Sequence, residues 1–251
     1  MSAKDSAPPL RARERLLQRY AEFKIHNPDV SYSLWLEHLE LESIQSGKPH
    51  ATLGPRLKRF DNWWDAGTNV FRRYQRWFSF VPSSKVVDYG CGSLRVGGHF
   101  IRFLDPECYF GLDVIADFYD MGKDLIGAEM MAEKKPRFAV IGADSVRDAA
   151  QFAPDFTFSS AVSYHLHPDE APGYFRNLSA ICHKPGANLF FDVSISDQPM
   201  HNLQLSMPLE YFKTALPELK FITYHEIERI ESEDQTIGIL HFRRPAGSGA
   251  I

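Results

Sequence analysis

The sequence predicts an α/β fold: a sheet of parallel strands closed by an antiparallel C-terminal hairpin, with an N-terminal helical extension. Three observations carry this reading. From residue 81 to 245, short β-branched or aromatic runs alternate with longer mixed segments, the texture of βαβ units. Two late strand-like runs, 221–230 and 236–242, are separated only by Glu231-Ser232-Glu233-Asp234-Gln235, too short for a crossover helix but sufficient for a hairpin. Residues 1–80 instead space their apolar side chains as helices do.

In that first part, Leu10, Leu16, Leu17, Tyr20 and Phe23 form one stripe, which Asn27-Pro28-Asp29 ends. A second helix is expected after Ser31 or Ser33, carrying Leu34, Trp35, Leu39 and Leu41 towards Gly47. After a loop over 46–55, a third holds Phe60, Trp63, Trp64, Val70, Phe71, Tyr74, Trp77 and Phe78. The segment is too aromatic for a disordered tail and reads as an attachment or lid. Parallel strands are expected at 85–89, 109–112, 137–141, 156–159 and 188–193, with a helix over 171–183 that stops at Lys184-Pro185-Gly186 and another over 208–216.

Composition narrows the function classes. The chain has 251 residues, 44% hydrophobic and 24% charged, ordinary for a globular protein with one large domain. A formal net charge of -4 exerts no whole-surface pull on nucleic acid or anionic membrane. Cys91, Cys108 and Cys182 form no CxxC pair or zinc-like cluster, so no metal is expected, and the thiols read as reduced in a cytoplasmic protein. The polar start shows no signal-peptide core, and no apolar run approaches the ~20 residues that cross a bilayer.

The informative segment is Val86-Val87-Asp88-Tyr89-Gly90-Cys91-Gly92-Ser93-Leu94-Arg95. An apolar strand runs into a glycine turn, and the helix behind it offers free N–H groups. A dinucleotide fingerprint wants GxGxxG, but Arg95 occupies its last glycine position. Asp88, two residues ahead of Gly90, suits a cofactor bearing an ammonium group better than one bearing a pyrophosphate. Asp113 follows at a spacing of 25 residues, across one βα unit.

Asp88 to Ser93 resembles the first motif, (D/E)xGxGxG, of the class I S-adenosylmethionine-dependent methyltransferases, which are Rossmann-like. The resemblance extends through Gly111-Leu112-Asp113, Gly142-Ala143-Asp144, 156–166 and Lys184-Pro185-Gly186; it departs at Leu94, where the family's third glycine would stand. It implies S-adenosyl-L-methionine as cofactor. Gly90, Cys91 and Gly92 would approach the methionine part, with Asp88 near its amino group. Asp113, with Val114 beside it, would take the ribose hydroxyls, Asp144 and Ser145 would face the adenine, and Ser160 at the fourth strand's end would line the floor beneath the sulfonium.

The chemistry would fall to the stretch Ser163-Tyr164-His165-Leu166-His167-Pro168, which resembles a segment of bacterial small-molecule and glycan methyltransferases. His165 and His167 are candidate bases, since histidine titrates nearest neutrality, and packing or capping is the competing reading for each. His201, in the loop 196–202, is a further candidate. The acceptor is accordingly expected to be a small molecule or glycan, methylated at oxygen. Three alternatives stay open. Arg56, Lys58, Arg59, Arg72, Arg73 and Arg76 among aromatics allow an RNA methyltransferase, although Ser-Ala-Val-Ser-Tyr stands where base-amine enzymes carry an Asn/Asp-Pro-Pro motif. A non-catalytic binding protein and an NAD-dependent oxidoreductase are the others.

Overall fold

The computed structural model describes residues 12–46, 63–197, 205–231 and 235–246. The apolar runs after residue 81 become strands buried on both faces: β1 (Val86–Tyr89), β2 (Tyr109–Asp113) and β4 (Phe156–Ser159) have no exposed position, the pattern of central parallel strands. β3 (Arg137–Val140) lies at one edge and is half-open. Among the described residues the order is β3-β2-β1-β4-β5-β8-β7, with β5 (Asn188–Ile195) parallel to β4 and antiparallel to β8 (Gln235–Arg243), which in turn pairs with β7 (Lys220–Ile230). The predicted parallel sheet closed by a C-terminal hairpin is therefore the observed one.

The sequence does not reveal β6 (Ser206–Met207), which pairs in parallel with Ser194 and Ile195 at the end of β5. Two residues leave no readable period. At the other edge, β7 is long and largely exposed, but register shifts at Phe221/Thr223 and Glu226/Glu228 interrupt its ladder with β8, and Ile222 and Ile227, in those irregular stretches, are exposed. Such bulges blunt an edge strand against pairing with another chain.

Two helical layers cover the sheet. On one face α7 (Ala143–Gln151), α8 (Ala171–Ile181) and α9 (Leu209–Ala215) bury Val146, Phe175, Leu178 and Phe212 against Val87, Leu112, Leu189 and Phe191. On the other, α4 (Gly97–Phe103), α5 (Ala116–Ile126) and α6 (Ala128–Lys134) enclose Phe100, Ile101, Phe158 and Phe190.

The three N-terminal helices fall where the apolar spacing puts them, but their roles differ. α3 (Trp63–Trp77) is built into the second layer. Tyr74 is fully buried among Phe100, Phe156, Phe158 and Phe190, and Trp77 stacks on His225 of β7 with ring centroids 3.9 Å apart. Gly67 permits this docking, because a Cβ there would stand 1.9 Å from the Arg95 carbonyl oxygen. Periodicity announced an apolar face on α3 without saying what it would meet. α1 (Ala12–His26) and α2 (Tyr32–Gln45) instead form a hairpin with a small aromatic core of Tyr20, Tyr32 and Trp35; Ser31 caps α2 by accepting from the Leu34 N–H at 3.1 Å.

Candidate active site at the switch point of the sheet

Strand order reverses between β1 and β4, since the chain builds outward from β1 to β3 on one side and from β4 on the other. Open α/β sheets bind ligands in the crevice outside the carboxyl ends of the strands at such a point. The glycine turn lies there. Gly90 adopts φ +83° and Gly92 φ +51°, and a Cβ on Gly90 would stand 2.2 Å from a methyl of Val162, which follows β4. The Gly90 and Cys91 N–H groups donate to the Leu112 carbonyl, fixing the turn to the end of β2.

Asp113 ends β2 and reaches across to the turn. Its carboxylate accepts from the Gly92 N–H at 2.6 Å and the Ile115 N–H at 3.4 Å. Beside it, the apolar side chains of Val114 and of Val140, its register partner on β3, are 37% and 48% exposed. Carboxylate and open apolar surface thus lie together at one corner of the crevice.

The remaining predicted residues fall in different places. Asp88 is 2% exposed and lies beneath the turn, accepting from the Tyr109 hydroxyl at 2.7 Å. Burial pushes it from 3.8 up to about 8; the Tyr109 bond opposes the shift and the charge of Asp113 adds to it. The Cys91 side chain packs inward against Gly111. Ser145 caps α7, its hydroxyl accepting from the Gly142 N–H at 2.9 Å. Asp144 is exposed and pairs with Arg147 at 2.5 Å. Ser160 donates to Asp192 at 3.2 Å.

The two histidines separate. His165 is exposed on a single 3-10 turn, Ser163–His165, at the mouth of β4. His167 is turned towards the N-terminal hairpin, its ring 5.7 Å from Tyr20 and 5.8 Å from Tyr32, while Glu170 accepts from the Ser33 N–H at 2.9 Å. That ring docks a helical hairpin. His201, Arg56, Lys58 and Arg59 lie outside the described residues.

Asp192 on β5 is the group the sequence reading passed over. One carboxylate oxygen accepts from the Ala161 N–H at 2.9 Å and from Ser160, and the other is buried without a partner. Burial raises it to about 6, against the opposing pull of those bonds and of the charges on Arg73 and Arg95. The available signal was an acid within the otherwise uncharged run Asn188–Ile195, where central strands rarely tolerate a charge. Among the described residues no three His, Cys, Asp or Glu side chains are placed to hold a metal ion, and no helix is long and apolar enough to cross a membrane.

No family model matches the sequence, and no curated protein matches it significantly. Solved structures do. The [4+2]-cyclase SpnF aligns at TM-score 0.57 and 12% identity over 75% of this chain and 85% of its own. Magnesium protoporphyrin IX methyltransferase (ChlM) from Synechocystis PCC 6803, with bound SAM, aligns at 0.52 and 14% over 72% and 79%. The Burkholderia thailandensis 1,6-didemethyltoxoflavin-N1-methyltransferase, with bound substrate and S-adenosylhomocysteine, aligns at 0.51 and 13% over 96% and 93%. The fold is that of the class I S-adenosylmethionine-dependent methyltransferases. At these identities the likeness speaks for architecture, and a cyclase among the matches shows that this architecture carries more than one chemistry.

Proposed function

We propose that the chain is an S-adenosylmethionine-dependent methyltransferase acting on a small molecule. The observation that carries this reading is the corner at Asp113: a glycine turn with left-handed backbone, a carboxylate bound to its Gly92 N–H, and exposed Val114 and Val140 at its flanks. A nucleoside fits that donor set. A carboxylate can accept from both hydroxyls of a ribose diol, and the valines offer apolar cover for an adenine. The turn around Gly90 and Gly92 would hold the methionine part. Asp88, beneath the turn, supports the loop from below through Tyr109.

When bound, the cofactor would supply an electrophilic sulfonium methyl, which would pass to an acceptor nucleophile attacking in line as the neutral thioether leaves. The chain's share is then positioning and proton management. Val162 and the turn Ser163–His165 stand between the cofactor corner and the end of β5. We place the acceptor at the end of β4, beside the middle of β5, with oxygen as the methylated atom, because groups able to take a hydroxyl proton stand there: Asp192, raised by burial to about 6, and exposed His165.

Calorimetry with S-adenosylmethionine tests the reading. Wild type binds in the micromolar range, and Asp113→Ala weakens binding about tenfold or more, roughly 1.4 kcal/mol for a lost charge-assisted contact. Absence of binding in the wild type at those concentrations would remove the methyltransferase reading altogether.

A further inference from the structure

The ladder between β4 and β5 ends at the pair Ser159 and Phe191, so Asp192 is the first β5 residue beyond it. There its own groups take over from the ladder. The Ala161 N–H donates to one Asp192 carboxylate oxygen at 2.9 Å and the Ser160 hydroxyl to the same oxygen at 3.2 Å, while the Ser163 hydroxyl donates to the Asp192 main-chain carbonyl. The segment so held is not relaxed. Ala161 has φ +60°, a left-handed backbone that crowds a Cβ and persists only where surrounding bonds impose it. The other Asp192 carboxylate oxygen is buried without a partner, an unsatisfied group that the fold retains beside those three bonds.

What this segment presses on is the glycine turn. A Cβ on Gly90 would stand 2.2 Å from a Val162 methyl, so Val162 fills the space where a Gly90 side chain would be. Nearby, the buried Ser159 hydroxyl donates to the Tyr89 carbonyl at 2.7 Å. The turn is thus gripped from two sides: by β2, through the Gly90 and Cys91 N–H groups on the Leu112 carbonyl, and by the end of β4, through Tyr89 and Gly90. The second grip depends on where Val162 stands, and Val162 directly follows the strained Ala161 that Asp192 holds. A turn held beforehand in its bound geometry binds more tightly, because less ordering is left to the ligand.

We infer that Asp192 is a positioning residue for the cofactor: by clamping the β4 turn at Ala161 it holds Val162 against Gly90 and so keeps the glycine turn in its binding conformation. The inference deepens the methyltransferase reading and rests on it for the word cofactor; the mechanical link from Asp192 to the turn does not. This role is separable from proton acceptance by Asp192, which needs the carboxylate, whereas the clamp needs only an accepting oxygen.

The test compares Asp192→Ala, Asp192→Asn and Val162→Ala with wild type. Calorimetry with S-adenosylhomocysteine is run where circular dichroism shows every variant folded, and amide hydrogen exchange over residues 89–93 is read in the free protein. Asp192→Ala weakens S-adenosylhomocysteine binding about tenfold and speeds exchange in the turn. Asp192→Asn, which keeps an oxygen to accept from Ala161 and Ser160, stays within about twofold of wild type. In the Val162→Ala background Asp192→Ala adds little, because the link is already cut. If Asp192→Ala does not fold, Ser160→Ala combined with Ser163→Ala removes two of the three bonds and gives the same changes in smaller measure. Unchanged affinity in Asp192→Ala, whatever its melting temperature, overturns the inference, since Asp192 would then support the sheet alone. So does an asparagine variant as weak as the alanine one, because the charge and not the clamp would be acting, and so does full additivity with Val162→Ala. Absence of S-adenosylhomocysteine binding by the wild type removes the methyltransferase reading; turn exchange in the free variants still decides the link, and exchange unchanged by Asp192→Ala would sink it.

Discussion

On the β1–β2 side of the crevice the groups lie close in sequence: Gly90 to Ser93 are consecutive, and Asp113 follows after one helix and one strand. On the β4–β5 side, Arg73, Arg95, Ser160 and Asp192 come from a helix before the sheet, the glycine turn, the end of β4 and the middle of β5. The first side is held by backbone bonds within the turn and to β2. The second comes together through the pairing of β4 with β5 and the packing of α3 on the sheet. The proposed nucleoside corner can thus be encoded locally, while the proposed acceptor side depends on long-range packing.

The strongest way to break the comparison is Gly90→Ala. A side chain at φ +83° is strained and meets Val162, which costs about 2–4 kcal/mol in unfolding free energy. S-adenosylhomocysteine affinity falls at least about a hundredfold by calorimetry, as the turn must move. Loss of stability with undiminished affinity would mean that the turn does not cradle the cofactor.

Asp88→Asn comes next and runs in the opposite direction. The folded pKa of Asp88, about 8, lies above its unfolded 3.8, so its native state is stabilised by keeping the proton; that stability is full below about pH 4 and lost as pH rises to 8. The variant cannot ionise. It should therefore be more stable than wild type above pH 8, with the gap closing towards pH 4 in denaturant titrations. A large loss of cofactor affinity instead would bring Asp88 into direct contact with the ligand.

His241 sharpens the contrast on β8, one strand in from the β7 edge. Its ring stacks on Phe190 at 4.3 Å and bonds the Asn188 side chain at 3.0 Å, and burial lowers it to about 4. The folded state stays neutral where the unfolded one charges, so stability is lost as pH falls from 6.5 to 4. His241→Phe should flatten that acid limb in thermal melts. An unchanged limb would assign it to other groups.

The smallest effect is expected from His167→Ala. Loss of its contacts with Tyr20 and Tyr32 should cost about 1 kcal/mol, appearing as faster amide exchange in α1 and α2 with cofactor affinity unchanged. A collapse of methyl transfer with exchange unaltered would return His167 to the chemistry.

The chain order of helices and strands, the C-terminal hairpin and the glycine turn with Asp113 were legible because each is a local pattern: a hydrophobic period, a connection length, a spacing across one βα unit. Tertiary structure alone decided the rest. It separated His165 from His167, because the distance between them in sequence says nothing about which one the α1–α2 hairpin will cover. It set Asp88 under the turn, because the pleat directs alternate side chains of β1 to opposite helical layers. It also brought Ser160 and Ala161 to Asp192, since partners so far apart in the chain leave no periodicity to read and meet only through the pairing of β4 with β5.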